Sequence, residues 1–560
     1  MTVATAIPRC KRAATSGAAM IFLTACGSID LPNPINAINE VAGLKRVPTS
    51  IQVFGVVSSD DPASSSVGSS IILRGGNAAD AAAAMAFGMT VTFPSRAGLG
   101  GGGVCLVGGG RGGRVQVLDF LPPASNAKDK QTDRPSAIPT LARGIAALHS
   151  RYGRLPWRTV VAPARDFARD GFVVTKAFAD ELAKYATPLF TDPASRGVFA
   201  DRRGRPIEVG NRFRQIDLNT VLSTLRGRGA GSLYRGALAQ RLVEASKSAG
   251  AALDPVTLRD YLPRWRDPIS VQVGDSVLHA PPPPASAGIV AIQMLQLALV
   301  GWVKDSNTPV GRAHLIAEAA KRSLGERTKW LGSDFGASAE VQPLLSKSHV
   351  SQLMQSFSPQ RASSHEKFMD KNRVVLETDA DIGFAVIDSD GLSVACSLTM
   401  YHPFGTGRTT PGLGVLLAAA PGAKGRNALP LGPVVVTRAS DNATRFAFTG
   451  SGGSTSATAM ANVMIETLLA KKDLNSAVAN ARLHFSAERG EVVIEDRVDK
   501  ERSVSLIGLG HKVRRLPSIG WVNAISCPAG LPAPEPACEA VADPRGEGVA
   551  VKVNLVRERR

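Results

Sequence analysis

Residues 381–399 read DIGFAVIDSDGLSVACSLT, and the fold follows from them. Residues 383–389 and 392–399 alternate apolar and small polar side chains, as strands do. Asp390-Gly391 between them is a hairpin turn signal. The stretch 383–399 therefore predicts a buried β-hairpin. Downstream, a strand over 442–449 runs into the glycine loop TGSGGS and then a helix from Thr455 to Lys471. Upstream, 269–280 predicts a strand ended by Pro281–Pro284. Residues 313–328 predict a helix, with Leu315, Ala319 and Arg322 at helical spacing. Residues 139–186 look helical, broken by Leu155-Pro156-Trp157. An Ala-rich helix follows Asn77, a suitable N-cap. Gly100–Gly103 enter a short strand, Val104–Val107. A phosphate-cradling loop needs a helix there, so these glycines read as a close approach of two backbones. Strands and helices mix without a βαβ rhythm, which predicts an α+β or layered sandwich.

The chain has 560 residues, a length that alone suits three or four domains. Hydrophobic residues make up 44% and charged residues 20%, which excludes a mostly disordered chain. Six cysteines exclude a disulfide scaffold. Aromatics are only 5%, and no basic stripe carries interleaved aromatics, which argues against nucleic acid as a partner. The net charge of +18 fits attraction to anionic membranes or polymers. The eight histidines show no metal-ligand spacing, and no cofactor motif is present.

The N-terminus, MTVATAIPRCKRAATSGAAMIFLTAC, has a basic region at Arg9, Lys11 and Arg12. A short apolar run follows over Ala13–Leu23, too short to span a bilayer. Its end, Leu23-Thr24-Ala25-Cys26, resembles the lipobox of bacterial lipoproteins. That resemblance implies cleavage of 1–25, lipidation of Cys26 and a tether over 26–48. The expected location is the cell envelope, facing the periplasm, held to a membrane by lipid. In an exported chain, Cys527 and Cys538 of CPAGLPAPEPAC are placed to close a surface loop. Cys105 and Cys396, inside apolar strand-like runs, read as buried unpaired thiols.

Several segments, in order, resemble the γ-glutamyltransferase (γ-glutamyltranspeptidase, glutathione hydrolase) family. They are ILRGGNAADAAAA, GLGGGGVCLV, AALHSRYGRLPWRTVVAPARDFARDGF, HAPPPPASAG, AHLIAEAAKR, FAVIDSDGLSVACSLT, FGTG, PGLGVLL, TGSGGS and ARLHF. The resemblance implies the N-terminal-nucleophile hydrolase fold, a four-layer αββα sandwich. It also implies one interwoven domain, from a large-subunit-like part over 49–380 and a small-subunit-like part over 381–560. In the family a precursor cuts itself before a Thr, whose hydroxyl then attacks an amide carbonyl.

The family's nucleophile position falls on Asp381, which has no hydroxyl. Thr378, three residues upstream, is the nearest substitute. The Arg that clamps the substrate α-carboxylate falls on Leu121, the Asp that holds the α-amine on Ala423, and an active-site Asn on Tyr401. What remains is Thr399, which matches the Thr beside the nucleophile, and Gly452 and Gly453, which match the oxyanion-hole pair. The sequence therefore predicts a lipid-anchored family member that is not autoprocessed, lacks γ-glutamyl transfer and serves as a binding or structural module. The alternative is an active γ-glutamyltransferase, glutathione hydrolase or amidohydrolase with a relocated nucleophile. A third reading has the basic surface binding an anionic envelope polymer.

Overall fold

The computed structural model describes residues 50–125, 134–331, 340–369, 380–421, 429–533 and 536–558. Cys26, the tether over 26–48, Thr378 and Ala423 lie outside the described residues. Gln52–Arg557 form one compact unit, where length alone allowed several.

The hairpin forms as expected, with strands Asp381–Asp388 and Leu392–Thr399 buried at every residue. Its register pairs Thr399 with Asp381 and Ser393 with Ile387. Gly391 sits at φ +75° against the backbone of Leu531, where a side chain would collide. The Asp388 carboxylate accepts from the N–H groups of Asp390 and Leu392, closing the turn. Its other oxygen accepts from Ala78 N at the start of the Ala-rich helix Ala78–Thr92. Asn77 caps that helix with a reciprocal Asp80 bond.

Around the hairpin lies a seven-stranded sheet in the order Val549–Glu558, Ser50–Ser59, Asp381–Asp388, Leu392–Thr399, Gly102–Gly109, Gln116–Phe120 and Arg264–Arg266. Strands from both sides of residue 381 interleave in it. A six-stranded sheet, Glu539–Val541, Trp521–Leu531, Thr444–Ser451, Val434–Arg438, Ser276–Ala280 and Ile269–Val273, stacks on the first. Strand alternation divides the core in two. Val435, Ala447 and Ile525 face the first sheet. Val434, Val436, Phe448 and Ala524 face the helices Ala287–Val300, Pro309–Trp330 and Ser456–Met464. Helices Ala78–Thr92, Leu141–Tyr152 and Trp157–Asp170 cover the first sheet, completing four αββα layers. No described helix is long and apolar enough to cross a membrane.

Three sequence expectations change. The strand over 269–280 is a hairpin, because Gly274 at φ +61° turns the chain between Val273 and Ser276. The helix after the glycine loop ends at Met464 and continues as a π-helical turn, Ile465–Leu469. Cys105 and Cys396 are bonded to each other rather than unpaired. The antiparallel register sets them directly opposite, with Cα atoms 4.1 Å apart, the close-pair spacing of such strands. Cys527 and Cys538 are also bonded, and both are buried although their loop reaches the surface.

Candidate active site

Asp381 is the first residue of its strand and is 2% exposed. Its Oδ1 accepts from Gly452 N at 3.1 Å and Gly453 N at 2.9 Å. These glycines lie between the strand Thr444–Ser451 and the helix Ser456–Met464, at φ +115° and +61°. Left-handed backbone at both turns two consecutive N–H groups toward one point. A side chain on Gly452 would meet Gly520 Cα at 2.9 Å, so the loop is pressed against its neighbour.

The backbone at Asp381 is held from both sides. Arg96 Nη1 donates to Asp381 O at 3.1 Å. The same guanidinium pairs with Glu181 at 2.9 Å and lies 5.0 Å over the Trp521 ring. Two residues along the strand, Asp60 accepts from Gly383 N (3.0 Å), Ser451 Oγ (2.5 Å) and Asn523 Nδ2 (2.7 Å). Full burial pushes the Asp60 carboxyl above the ordinary range, opposed by those hydrogen bonds and by Arg96. Arg96 and Trp521 were not singled out from sequence. Arg96 stands in the PSRAGLGGGG segment, whose glycines drew the reading instead.

Thr399 lies opposite Asp381, and its Oγ1 accepts from Tyr401 N at 2.8 Å. Met400 N donates to the Ala380 carbonyl, the bond that precedes Asp381, at 3.4 Å. Tyr401 adopts φ +62° and its hydroxyl donates to Pro122 O at 2.8 Å, beside Leu121. Tyr401 and Leu121 thus meet on one wall of a cleft of about 950 Å³. Pro122, Pro123, Tyr261 and Leu429 also line it, and Asp381 does not. Asp119 in the cleft is committed to Arg266 at 3.0 Å and to Leu121 N. The structure therefore gathers Asp381, Thr399, Gly452 and Gly453, and Tyr401 links them to the cleft, its N–H bonded to Thr399 and its hydroxyl to Pro122 beside Leu121.

Away from this site the fold groups His314, Glu318 and His511, which the linear spacing of histidines did not show. His314 and Glu318 share one face of a helix at i, i+4, and His511 comes from 197 residues away. Hydrogen bonds satisfy the group without an ion. His314 Nε2 faces Ser358 O, His314 Nδ1 faces His511 Nε2 at 2.7 Å, and Lys321 donates to His511 Nδ1. Lys321 and Arg322 both pair with Glu318. Two cations inside the group oppose a third.

Burial also fixes the pH response. It pushes His511 and His484 down to about 3 and His279 down to about 4, so all three are neutral in the fold. The unfolded chain protonates them below about 6.5. The native state then binds fewer protons, and stability falls as pH drops from about 6.5 toward 4. Each histidine removes up to about 3 kcal/mol by pH 4. Asp388, raised to about 6 by burial, opposes this, since it takes up its proton in the native state first. Asp60 and Asp61, also raised by burial, oppose it too. His314, lowered by burial, and Glu318, held down to about 2 against its burial by Lys321 and Arg322, act with the three histidines, which leaves net acid lability. The denaturant midpoint is expected to be clearly lower at pH 4.5 than at pH 7, and an equal or higher midpoint refutes the assignment.

Two stacked sheets between helical layers, with the site on the first residue of a central hairpin strand, define the N-terminal-nucleophile hydrolase class. Within it, the chain belongs to the gamma-glutamyltranspeptidase family, whose description matches residues 64–553. It is 26% identical over 509 residues to the glutathione hydrolase proenzyme of Escherichia coli, covering 84% of this chain and 88% of that one. It is 27% identical over 551 residues to the glutathione hydrolase proenzyme of Pseudomonas aeruginosa, covering 89% and 94%. Among solved structures it resembles the cephalosporin acylase of Bacillus halodurans, with a TM-score of 0.77 at 23% identity, covering 95% and 99%.

Proposed function

We propose that this protein is a lipid-anchored envelope member of the family that remains one uncut chain and binds a ligand instead of transferring γ-glutamyl groups. One observation carries the reading: the Asp381 carboxylate occupies Gly452 N–H and Gly453 N–H, the donors an oxyanion would need. An anion already there excludes a second, and a carboxylate offers no hydroxyl for attack on the preceding peptide bond. The clamp changes act independently. Charged hydrogen bonds are worth about 1.5–3 kcal/mol each, so losing the carboxylate and amine clamps costs about 3–6 kcal/mol of substrate binding. Losing a nucleophile costs about six decades in a serine protease.

The ligand site in this reading is the cleft at Leu121 and Tyr401. Its lining is mostly proline, leucine and tyrosine, and its acids Asp119 and Asp260 are paired with Arg266 and Arg259. On this reading it takes a largely apolar ligand and has lost the two charged clamps for an amino acid's zwitterion. Two buried disulfides support an oxidising compartment and hence export. Relatives named glutathione hydrolases suggest glutathione as a substrate, and on this reading the chain does not hydrolyse it.

The test is the intact mass and a denaturing gel of the mature protein, with hydrolysis of a γ-glutamyl anilide measured on the same sample. The gel must be reducing, because Cys105–Cys396 would hold two fragments together. One full-length chain without hydrolysis is expected. Two fragments with a new N-terminus at Thr378 or Asp381 would overturn the reading.

A further inference from the structure

A small two-stranded sheet outside the site pairs Phe172–Val173 with Arg212–Phe213. Alternation sorts its side chains cleanly. Phe172, Val174, Phe213 and Gln215 point inward, where Phe213 packs against Phe172 and Phe178. Val173, Arg212, Arg214 and Ile216 point outward. Val173 is 63% exposed and Ile216 57%, and Val209, next to the Gly210–Val174 hydrogen bond, is 57% exposed. Arg212 and Arg214 both donate through Nε to Asp170 O, which leaves the rest of each guanidinium facing outward. Asp170, whose carbonyl they bind, has its carboxylate paired with Arg169, and Asp217 is exposed beside Ile216. Residues 196–217 contain six arginines and three acids, a net charge of +3.

Apolar tips on a rigid aromatic base, ringed by arginines, suit one kind of surface. Arginines alone would suit any polyanion, but the exposed valines and isoleucine gain nothing from a soluble one. A bilayer offers both anionic headgroups and an acyl boundary for the tips. We propose that this face docks on an anionic lipid surface, as a contact additional to any N-terminal lipid and independent of the ligand cleft.

The experiment is vesicle co-sedimentation with the unlipidated chain from residue 27 onward, which retains the whole compact unit Gln52–Arg557. Vesicles of phosphatidylcholine with phosphatidylglycerol are compared with phosphatidylcholine alone. Binding to the anionic vesicles only is expected. Arg212→Glu with Arg214→Glu should weaken it at least tenfold, and Val173→Ser with Ile216→Ser, which changes no charge, several-fold. Lys347→Glu with Lys500→Glu, an equal charge change at exposed sites elsewhere, should leave most of it. Unchanged thermal midpoints show that the variants are folded. The proposal fails if the wild type does not sediment, or if the lysine pair matters as much as the arginine pair. It also fails if the Val173/Ile216 pair has no effect, which would mark the face as a general polyanion surface.

Discussion

Asp381→Thr is expected to give a chain that cuts itself between residues 380 and 381, where the proposed function has the parent chain intact. The substitution does two things at once. It removes the carboxylate from Gly452 N–H and Gly453 N–H, and it places a hydroxyl beside Thr399 at the start of the strand. The carbonyl to be attacked, that of Ala380, already accepts from Met400 N, which favours charge developing on its oxygen. The backbone that follows stays fixed by Arg96 and Asp60. Cleavage within hours corresponds to a barrier of about 23 kcal/mol, modest for an intramolecular attack in a held geometry. The readout is a reducing gel with N-terminal sequencing. Asp381→Ala, which frees the same N–H groups without adding a hydroxyl, should stay intact. Glutathione turnover should not return with cleavage, because Leu121 and Tyr401 are unchanged. An intact Asp381→Thr chain would mean that the site has lost more than its nucleophile.

That site was half legible in the sequence, for physical reasons. The hairpin over 383–399 declared itself because period-2 alternation and Asp390-Gly391 are local signals. That Thr399 stands beside Asp381 came from the family resemblance, and the register pairs the two. Gly452 and Gly453 were visible as a loop between a strand and a helix. What they now hold was not visible, since that depends on a side chain 71 residues away. Cys105–Cys396 was missed for the same reason. Each cysteine reads locally as a core residue, and only the register across 291 residues pairs them. The inward bend of Tyr401 toward Pro122 rests on a left-handed backbone at a residue that composition would not suggest.

A second large effect is expected far from any reacting atom. Arg482→Leu should destabilise the fold by about 3–5 kcal/mol, the usual loss when one member of a buried ion pair is removed. Arg482 is 1% exposed and reaches Asp543 at 2.6 Å, Ile519 O at 3.3 Å, Gly520 O at 3.0 Å and Val478 O at 3.0 Å. Its own N–H donates to Glu495, which also binds Arg545. Arg545 also pairs with Asp543 at 3.0 Å, so deletion of Arg482 leaves two buried carboxylates sharing one buried arginine, with only half-exposed Arg497 at the edge. The residues Arg482 holds, Ile519 and Gly520, form the turn on which Gly452 rests. The loss should therefore loosen the glycine loop as well as lower the denaturation midpoint. Faster amide exchange at Gly452 and Gly453 would report that coupling. Arg497→Ala is the contrast, because Arg497 touches the same Glu495 from a half-exposed position, where a pair contributes less than about 1 kcal/mol. Adding Asp543→Asn to Arg482→Leu should cost less than the sum of the single changes, since it removes the excess buried carboxylate that Arg545 alone must then balance. A loss for Arg482→Leu no larger than that for Arg497→Ala would show that the turn under the glycine loop is held by packing alone.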